Sequence, residues 1–449
     1  MSTPISTRRT ITVDHLARVE GHGGITVELE DDRVGSIRFD VFEGIRLIEG
    51  LIGGRSWEDV SPIVSRICAI CSVAHALTSI RATETAFGVD TSLQTELLRE
   101  LMWRGESIES HALHLFLLAA PDYLGYPSAP AMAEDHPGTV AVGLRLKQLG
   151  NLLQGGVGGR AIHPVNAIPG GFGKVPDEAS LIVMRQRLVA ARPDVDAAMD
   201  FVRGLPAPPA LDVDTTFVAL RQDEDYRYDR GDDVVVLEPA GRRWSLAADA
   251  FLEVAQERSV PHSHAKHVTL EGRPFMVGAL ARLAINRDRL PGWANGLVEA
   301  IGLRLPSRDP LDNNRAQAVE LALDVHRATL LVERLLELGP VTGTVPTVSP
   351  RAATATAITE APRGTLVHSY TYDAAGRIVR ANVITPTVFN AASMERHFQA
   401  AAARDGVEDE PALKRTLEMI SRAYDPCISC AVHLTRRQRR DPGGPAAGR

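Results

Sequence analysis

The four cysteines of this chain form two close pairs and are its clearest candidates for chemistry. Two residues separate Cys68 from Cys71, and two residues separate Cys427 from Cys430. In a large chain with so few cysteines, paired CxxC spacings indicate a metal site more than disulfide bonds. Cysteine thiolates are soft ligands that suit zinc, nickel and iron. The sequence therefore predicts one buried centre held by four thiolates.

The distance between the two pairs leaves two kinds of centre open. One is a structural zinc site that uses all four cysteines. Zinc ribbons, however, usually place their pairs about 15–20 residues apart, whereas nearly the whole chain separates these two. The other is a redox centre of nickel and iron, because soft thiolates suit both metals. A redox metal would also explain why the site is buried between two distant segments.

Both pairs are expected to lie on helices. On a helix, the spacing of Cys68, Cys71 and His75 would place all three side chains on one face. Near the second pair, Asp425 would cap a helix and Cys427 would lie in its first turn. The positive end of the helix dipole there favours the thiolate that binds metal.

The surrounding pattern predicts an α+β fold that is predominantly helical. Alternating apolar residues predict a small N-terminal antiparallel β meander at Ile11–Val13, Gly24–Leu29 and Val34–Val41. The segments Thr365–Tyr372 and Arg377–Ile384 predict a C-terminal β-hairpin. Longer periodic stretches predict a large helical-bundle core, at about Ser61–Phe87, Thr91–Ala120, Val140–Leu153, Asp177–Val202, Pro261–Ile285, Asn314–Leu338, Ala391–Ala402 and Pro411–Ala423.

The residues around the two cysteine pairs resemble the signatures of [NiFe]-hydrogenase large subunits. These signatures are RxCxxCxxxH, here ending at His75, and DPCxxCxxH, here ending at His433. The resemblance spans Val13 to His433 and is closest to the soluble, cofactor-coupled group of the cytoplasm. It implies one large-subunit domain over residues 1–433. It also implies a C-terminal extension over 434–449, which a maturation protease removes.

The resemblance implies a specific set of metal ligands. Nickel would take all four thiolates, with Cys68 and Cys427 as terminal ligands. Cys71 and Cys430 would bridge to an iron that carries CO and cyanide. A thiolate held by one metal remains basic, so Cys427 is the predicted base during heterolytic cleavage of H2.

The segment Arg18-Val-Glu20-Gly-His resembles the N-terminal RxEGH motif of the family. In that resemblance Glu20 relays protons from the terminal thiolate. A carboxyl group removed from water can exchange protons closer to neutral pH, which suits this role. The alternative is an ordinary salt bridge between Glu20 and Arg18.

Three further motifs resemble the surroundings of the iron in this family. Arg363, in an EAPRG segment, would place its guanidinium over the iron and its diatomic ligands. Pro386 and Thr387 match the residues around a cyanide, with the Thr387 hydroxyl as donor. His75 would donate to a bridging sulfur. A surface arginine and a turn proline are the alternatives.

A magnesium site is also implied by resemblance. Glu49, in an RxxE segment, and His433 would be its ligands, together with a carbonyl near Val383. Without the resemblance, Glu49 would be interpreted as a solvated charge on a helix. Oxygen ligands suit magnesium, whereas a histidine ligand is unusual for it.

Composition and cysteine count limit the partners. A formal net charge of -7 argues against a general nucleic-acid binder, and no apolar run approaches the length of a membrane span. No cysteine is left over for an iron-sulfur cluster. The resemblance therefore implies an iron-sulfur small subunit, and further NAD(P)- or flavin-linked electron-transfer subunits. Two alternatives remain: a quinone-site scaffold related to a complex I subunit, and a zinc-stapled structural protein.

Overall fold

The computed structural model describes residues 8–31, 33–221, 226–231, 233–339 and 345–432. As predicted, it is an α+β structure in which helices predominate and the sheets are small. The helices are α1 (Ile48–Ile52), α2 (Trp57–Val64), α3 (Ser72–Phe87), α4 (Leu93–Leu113), α5 (Ala120–Leu124), α6 (Ala129–Asp135), α7 (Pro137–Gly158), α8 (Glu178–Ala190), α9 (Arg192–Gly204), α10 (Ala248–Val254), α11 (Ala279–Asn286), α12 (Gly292–Ala300), α13 (Asp312–Leu338), α14 (Pro386–Asp405) and α15 (Glu410–Ala423). No helix of the described residues is both long enough and apolar enough to cross a membrane.

The strands form small antiparallel sheets between the helices. They are β1 (Arg8–Val13), β2 (Gly23–Glu30), β3 (Arg33–Val41), β4 (Ala167–Ile168), β5 (Gly171–Phe172), β6 (Phe217–Arg221), β7 (Asp233–Leu237), β8 (Arg243–Leu246), β9 (Ala255–Arg258), β10 (His267–Leu270), β11 (Ala353–Ala361), β12 (Gly364–Tyr372) and β13 (Ile378–Ile384). Three sheets have three strands, in the orders β1-β2-β3, β6-β7-β8 and β11-β12-β13. The N-terminal meander and the hairpin of β12 and β13 confirm two predictions, and β11 adds a third strand to that hairpin.

Helices α3, α4, α7 and α13 contribute many of the buried residues of the core. Helix α4 packs against both α7 and α13. Gly105 on α4 and Gly150 on α7 lie where the two backbones cross. A Cβ at Gly105 would come within 2.9 Å of Leu153 and 3.0 Å of the Gly150 carbonyl. Glycine at this crossing therefore allows the close approach of two long helices.

The predicted helix over Pro261–Ile285 is wrong for most of its length. Residues His267–Leu270 form strand β10, and helix α11 begins only at Ala279. Pro274 lacks the N–H that a continuous helix needs, and Gly278 has a φ of +123°, which ordinary side chains rarely adopt. The apolar residues before α11 lie in strand β10 and in the loop that follows it, where they are buried.

Candidate metal centre

The first cysteine pair lies in a loop between helices α2 and α3. Helix α2 ends at Val64, one 3-10 turn follows, and Cys68 has extended backbone angles. The backbone N–H groups of Ile70 and Cys71 each donate to the sulfur of Cys68 at 3.3 Å. The predicted common helical face is therefore wrong, because these local bonds to sulfur replace the helical pattern.

The second pair is also outside a regular helix. Asp425 has a φ of +49° and therefore does not cap a helix as predicted. Cys427 precedes a single 3-10 turn, and its backbone N–H donates to Oγ1 of Thr387 at 2.8 Å. Thr387 lies in the first turn of α14, so this helix end positions Cys427. The proposed helix-dipole effect on Cys427 has no helix here to produce it.

The two loops bring all four sulfurs to one buried point. The sulfur atoms of Cys68, Cys71, Cys427 and Cys430 lie within 4.8 Å of one another. Cys68 is 3.3 Å from Cys427, and Cys71 is 3.6 Å from Cys430. The sulfurs of Cys427 and Cys430 are in direct contact with each other, and Cys68 and Cys71 are free. As metal ligands, all four cysteines would act as thiolates.

The local electrostatics separate the two free thiols. Burial opposes ionisation of Cys68, but hydrogen bonding from Cys71 and the positive charge of Arg363 hold its pKa below the ordinary value. The hydrogen bond to Cys68, together with burial, raises the pKa of Cys71. The positive charge of Arg363 therefore favours a thiolate at this point, which is the form that binds metal.

Glu20 contacts the second pair directly. Its Oε2 is 3.2 Å from the sulfur of Cys427 and accepts the backbone N–H of Ser429 at 3.1 Å. The hydroxyl of Ser429 donates to the other carboxylate oxygen. Arg18 instead pairs with Asp122, so the alternative of a salt bridge to Glu20 does not describe this structure.

Arg363 approaches the centre with two unpartnered nitrogens. Its Nε donates to Asp425 at 2.9 Å. Nη1 and Nη2 are buried and have no hydrogen-bond partner among the described residues. The Asp425 carboxylate also accepts from Gln317 at 3.1 Å. Arg363 is therefore held in place from one side, and its other donors are available to a small ligand.

His75 lies in a buried chain of hydrogen bonds at the start of α3. Its Nδ1 is 3.1 Å from Nε2 of His368, and Nδ1 of His368 is 2.5 Å from the hydroxyl of Tyr370. The Tyr370 hydroxyl donates to Ser79 at 3.1 Å. Donation from His75 to a bridging sulfur stays a prediction.

Glu49 is half-buried and hydrogen-bonded, so it is not a solvated charge. It accepts the backbone N–H of Val383 at 2.8 Å, the residue near which a magnesium ligand was predicted. Burial raises the pKa of Glu49, against the opposing effects of that bond and of Lys266. His433, the other predicted ligand, lies outside the described residues.

Sequence reasoning missed the residues that position these groups. Asp425 was interpreted as a cap but is the anionic partner of Arg363. Ser429 was only the variable position in CxxC, yet it binds Glu20 through its hydroxyl and its backbone. Gln317 lies on α13, 108 residues from Asp425, and had no local signal. The aspartate before the proline of the second signature was the only available indication.

Comparisons with known proteins agree with this arrangement. The family model described as Nickel-dependent hydrogenase matches residues 46–149 and 248–433, and one described as HoxL-like matches residues 10–43. Sulfhydrogenase 1 subunit alpha of Pyrococcus furiosus is 38% identical, over 95% of this chain and 98% of that protein. NAD-reducing hydrogenase HoxS subunit beta of Cupriavidus necator is 27% identical, over 95% of each.

The fold also matches a solved relative over nearly its whole length. The crystal structure of an NAD+-reducing [NiFe]-hydrogenase in the H2-reduced state has a TM-score of 0.86 and 28% identity. The match covers 96% of this chain and 100% of that chain. The resemblance seen in the cysteine signatures is thus confirmed along most of the chain. The protein belongs to the nickel-dependent hydrogenase family, whose members are oxidoreductases that act on H2.

Proposed function

We propose that this chain is the catalytic large subunit of a [NiFe]-hydrogenase that interconverts H2 with two protons and two electrons. The observation that carries the proposal is the convergence of four sulfurs beside Glu20 and Arg363. A donor set of four thiolates suits nickel and iron. When bound, that centre would supply the two-electron chemistry of H2 cleavage. The family match argues against a quinone-site scaffold and against a zinc-stapled protein.

The chain's own groups provide a short route for the proton. Cys427 holds its sulfur 3.2 Å from Oε2 of Glu20. A proton on that sulfur can pass to the carboxylate, whose other oxygen is hydrogen-bonded to the Ser429 hydroxyl. General acid–base transfer of this kind needs donor and acceptor within hydrogen-bond reach. Cys427 and Glu20 are therefore the proposed proton acceptors.

Unpartnered buried donors of Arg363 and Thr385 fit an iron that carries CO and cyanide. Nη1 and Nη2 of Arg363 and the hydroxyl of Thr385 are buried and lack hydrogen-bond partners among the described residues. Buried donors of this kind usually have a partner, so these groups fit a small hydrogen-bond acceptor. Arg363, with Pro386 and Thr387 at the start of α14, would bind the diatomic ligands.

We propose magnesium as a structural ion beside β13. Glu49 would supply a carboxylate oxygen, and His433 and a backbone carbonyl near Val383 would complete the protein ligands. The contact between Glu49 and the Val383 backbone supports this position. The hard oxygen of Glu49 fits magnesium.

An iron-sulfur small subunit is the proposed electron partner. All four cysteines belong to the centre, so clusters that accept its electrons must be held by another chain. Large apolar side chains are exposed along one short segment of the chain, at Phe42, Ile45, Leu47 and Leu51. Arg46, among them, donates to the carbonyl of Ile67, next to Cys68. An apolar surface at this place fits a permanent subunit interface.

The assembled enzyme is expected to contain further subunits. An NAD-reducing relative supports further NAD(P)- or flavin-linked subunits. We propose that a maturation protease removes residues 434–449, which lie outside the described residues. A cytoplasmic location is proposed with this assembly.

The test is metal analysis combined with activity. The purified enzyme should contain nickel and iron, show infrared bands of metal-bound CO and cyanide, and reduce an artificial acceptor with H2. The Cys427→Ser variant should lose H2 oxidation, because a hydroxyl binds nickel much more weakly than a soft thiolate does. Ala69→Ser, an exposed change between Cys68 and Cys71, should retain activity. Zinc without nickel, or full activity in Cys427→Ser, would overturn the proposal.

A further inference from the structure

A second group of side chains that could hold a metal ion lies outside the two cysteine signatures. His262, in the loop before β10, His267, at the start of β10, and Glu395, on α14, each offer a ligand atom. These three atoms lie within 4.8 Å of one another. None of the three residues was predicted from the sequence to bind a metal. The two histidines fall in the stretch Pro261–Ile285, which was predicted to be a helix.

His267 is the residue that ordinary packing does not explain. Its side chain is 1% exposed, and neither ring nitrogen has a hydrogen-bond partner among the described residues. A buried polar group without a partner destabilises the folded state. Burial, with the nearby His262 and Arg258, lowers the pKa of His267 to about 4, so the ring is neutral at pH 7. Oε2 of Glu395 is 3.8 Å from Nδ1 of His267, which is too far for a hydrogen bond.

Glu395 is already positioned between the two histidines. Its Oε1 accepts from the backbone N–H of Phe39 at 3.0 Å and lies 2.9 Å from Nε2 of His262. Its Oε2 is 3.8 Å from Nδ1 of His267. The side chains of His262 and Glu395 are each 18% exposed, which leaves an approach from solvent.

We propose that His262, His267 and Glu395 form a metal site that binds one Zn²⁺ ion. Two imidazoles and one carboxylate are a common zinc donor set, with a water as the fourth ligand. Two ligands on tetrahedral zinc are separated by roughly 3.3 Å, given metal–ligand distances near 2.0–2.1 Å. The observed separations of 2.9 and 3.8 Å lie on either side of that value. Asp40, close to Glu395, adds negative charge, against the positive charge of Arg258.

The ion would join segments that support the second cysteine pair. Ala265, between the two histidines, forms a β-bridge with Val432. Helix α14, which carries Glu395, begins at the turn where Thr387 binds the backbone of Cys427. A metal that binds only the folded state stabilises it, and here it would hold this loop against α14.

The test uses the complete enzyme, freed of loosely bound metal and titrated with Zn²⁺ alone. The wild type should bind one Zn²⁺ more per chain than His267→Leu or Glu395→Gln, and those variants should bind it roughly 100-fold more weakly or worse. Glu395→Gln retains an acceptor for the Phe39 N–H and should therefore fold. It tests the site even if His267→Leu does not fold. His264→Ala is the matched control, because His264 lies in the same loop, is exposed and is absent from the cluster.

Zinc held by the four cysteines would appear equally in all four proteins, so this result is separate from the proposed nickel–iron centre. Anomalous diffraction at the zinc edge should place the ion between the two rings and the Glu395 carboxylate. Equal zinc binding by wild type, His267→Leu and Glu395→Gln would overturn the proposal. A loss in His264→Ala as large as in His267→Leu would do so too.

Discussion

The carboxylate of Glu20 joins groups that are neighbours in space but distant in sequence. Cys427 lies 407 residues further along the chain, and Ser429 lies 409 residues further. Among the described residues, the hydrogen bonds to the carboxylate come from the backbone N–H and the hydroxyl of Ser429 and from the sulfur of Cys427. The position of Glu20 therefore depends on the second signature, and its chemistry depends on a titratable oxygen.

The first prediction separates these two properties of Glu20. Glu20→Gln keeps the side-chain shape and one acceptor oxygen for Ser429, but it cannot take a proton. We expect H2 oxidation to fall by about 10²–10⁴, the usual contribution of a positioned acid–base group. Nickel and iron content should be unchanged. Glu30→Gln, at the exposed end of β2, serves as the control; normal proton exchange in Glu20→Gln would remove the relay role.

At the scale of elements, the backbone after Glu20 lies against the backbone after Cys427. Glu20 and Cys427 form an isolated parallel bridge, and the Ile428 N–H donates to the Glu20 carbonyl at 2.9 Å. Gly21 has a φ of +86°, and a Cβ there would come within 2.8 Å of the Ser429 nitrogen. Only glycine combines that angle with that contact.

Gly21→Ala should therefore destabilise this contact. A second glycine allows the angle and the contact to be separated, because Gly54 has a φ of +76° with no atom within 4 Å of its would-be Cβ. Both alanine variants should lose about 1–2 kcal/mol from the left-handed backbone. Gly21→Ala should lose more, with lower nickel content, as measured by denaturant unfolding and metal analysis. Equal losses would mean that the contact with Ser429 has no energetic weight.

These elements show how far the sequence can be interpreted. The strands β2 and β3 and the helix α13 were predicted well, because their apolar periodicity is local information. The loops that hold Cys68 and Cys427 were predicted as helices, since the spacing of their residues suits a helical face. The bonds from backbone N–H groups to the sulfur of Cys68 are local, but side-chain spacing does not report them. Asp425, with its positive φ, pairs with Arg363, 62 residues away, and no local pattern reports that contact.

At the scale of the whole molecule, a buried ionic network around Arg282 holds the backbone next to Arg363. The guanidinium of Arg282 makes two 2.7 Å bonds to Glu320 on α13 and one of 3.1 Å to Glu360 on β11. It also donates to the carbonyl of Pro362 at 2.7 Å, directly before Arg363. Helices α11 and α13 thus fix the strand end from which Arg363 extends.

Removing one charge of this network should be costly. Burial opposes ionisation of Glu320, but Arg282 and His111 hold its pKa at about 2. Glu320→Gln leaves the buried Arg282 charge undercompensated, so we expect a loss of about 3–5 kcal/mol in unfolding free energy at pH 7. Glu337→Gln, on the same helix but exposed and paired with Arg334, should lose only about 0–1 kcal/mol.

The sign of the pH dependence follows from the lowered pKa. Glu320 contributes its full stabilisation above its unfolded pKa, near 4.5, and loses it as the pH falls towards 2. The difference between wild type and Glu320→Gln should therefore be constant from pH 5 upward and shrink in acid. Unfolding midpoints measured across that range would test this, and a difference that grows in acid would contradict it.

The wide separation of the two cysteine pairs has a consequence for biosynthesis. Partner sulfurs such as Cys71 and Cys430 are 359 residues apart along the chain. At a translation rate of about 5–20 residues per second, the first pair emerges from the ribosome roughly 20–70 s before the second. During that interval the nascent chain has only two of the four cysteine ligands outside the ribosome. Insertion of the metals after translation would therefore avoid metal binding by an incomplete set of ligands.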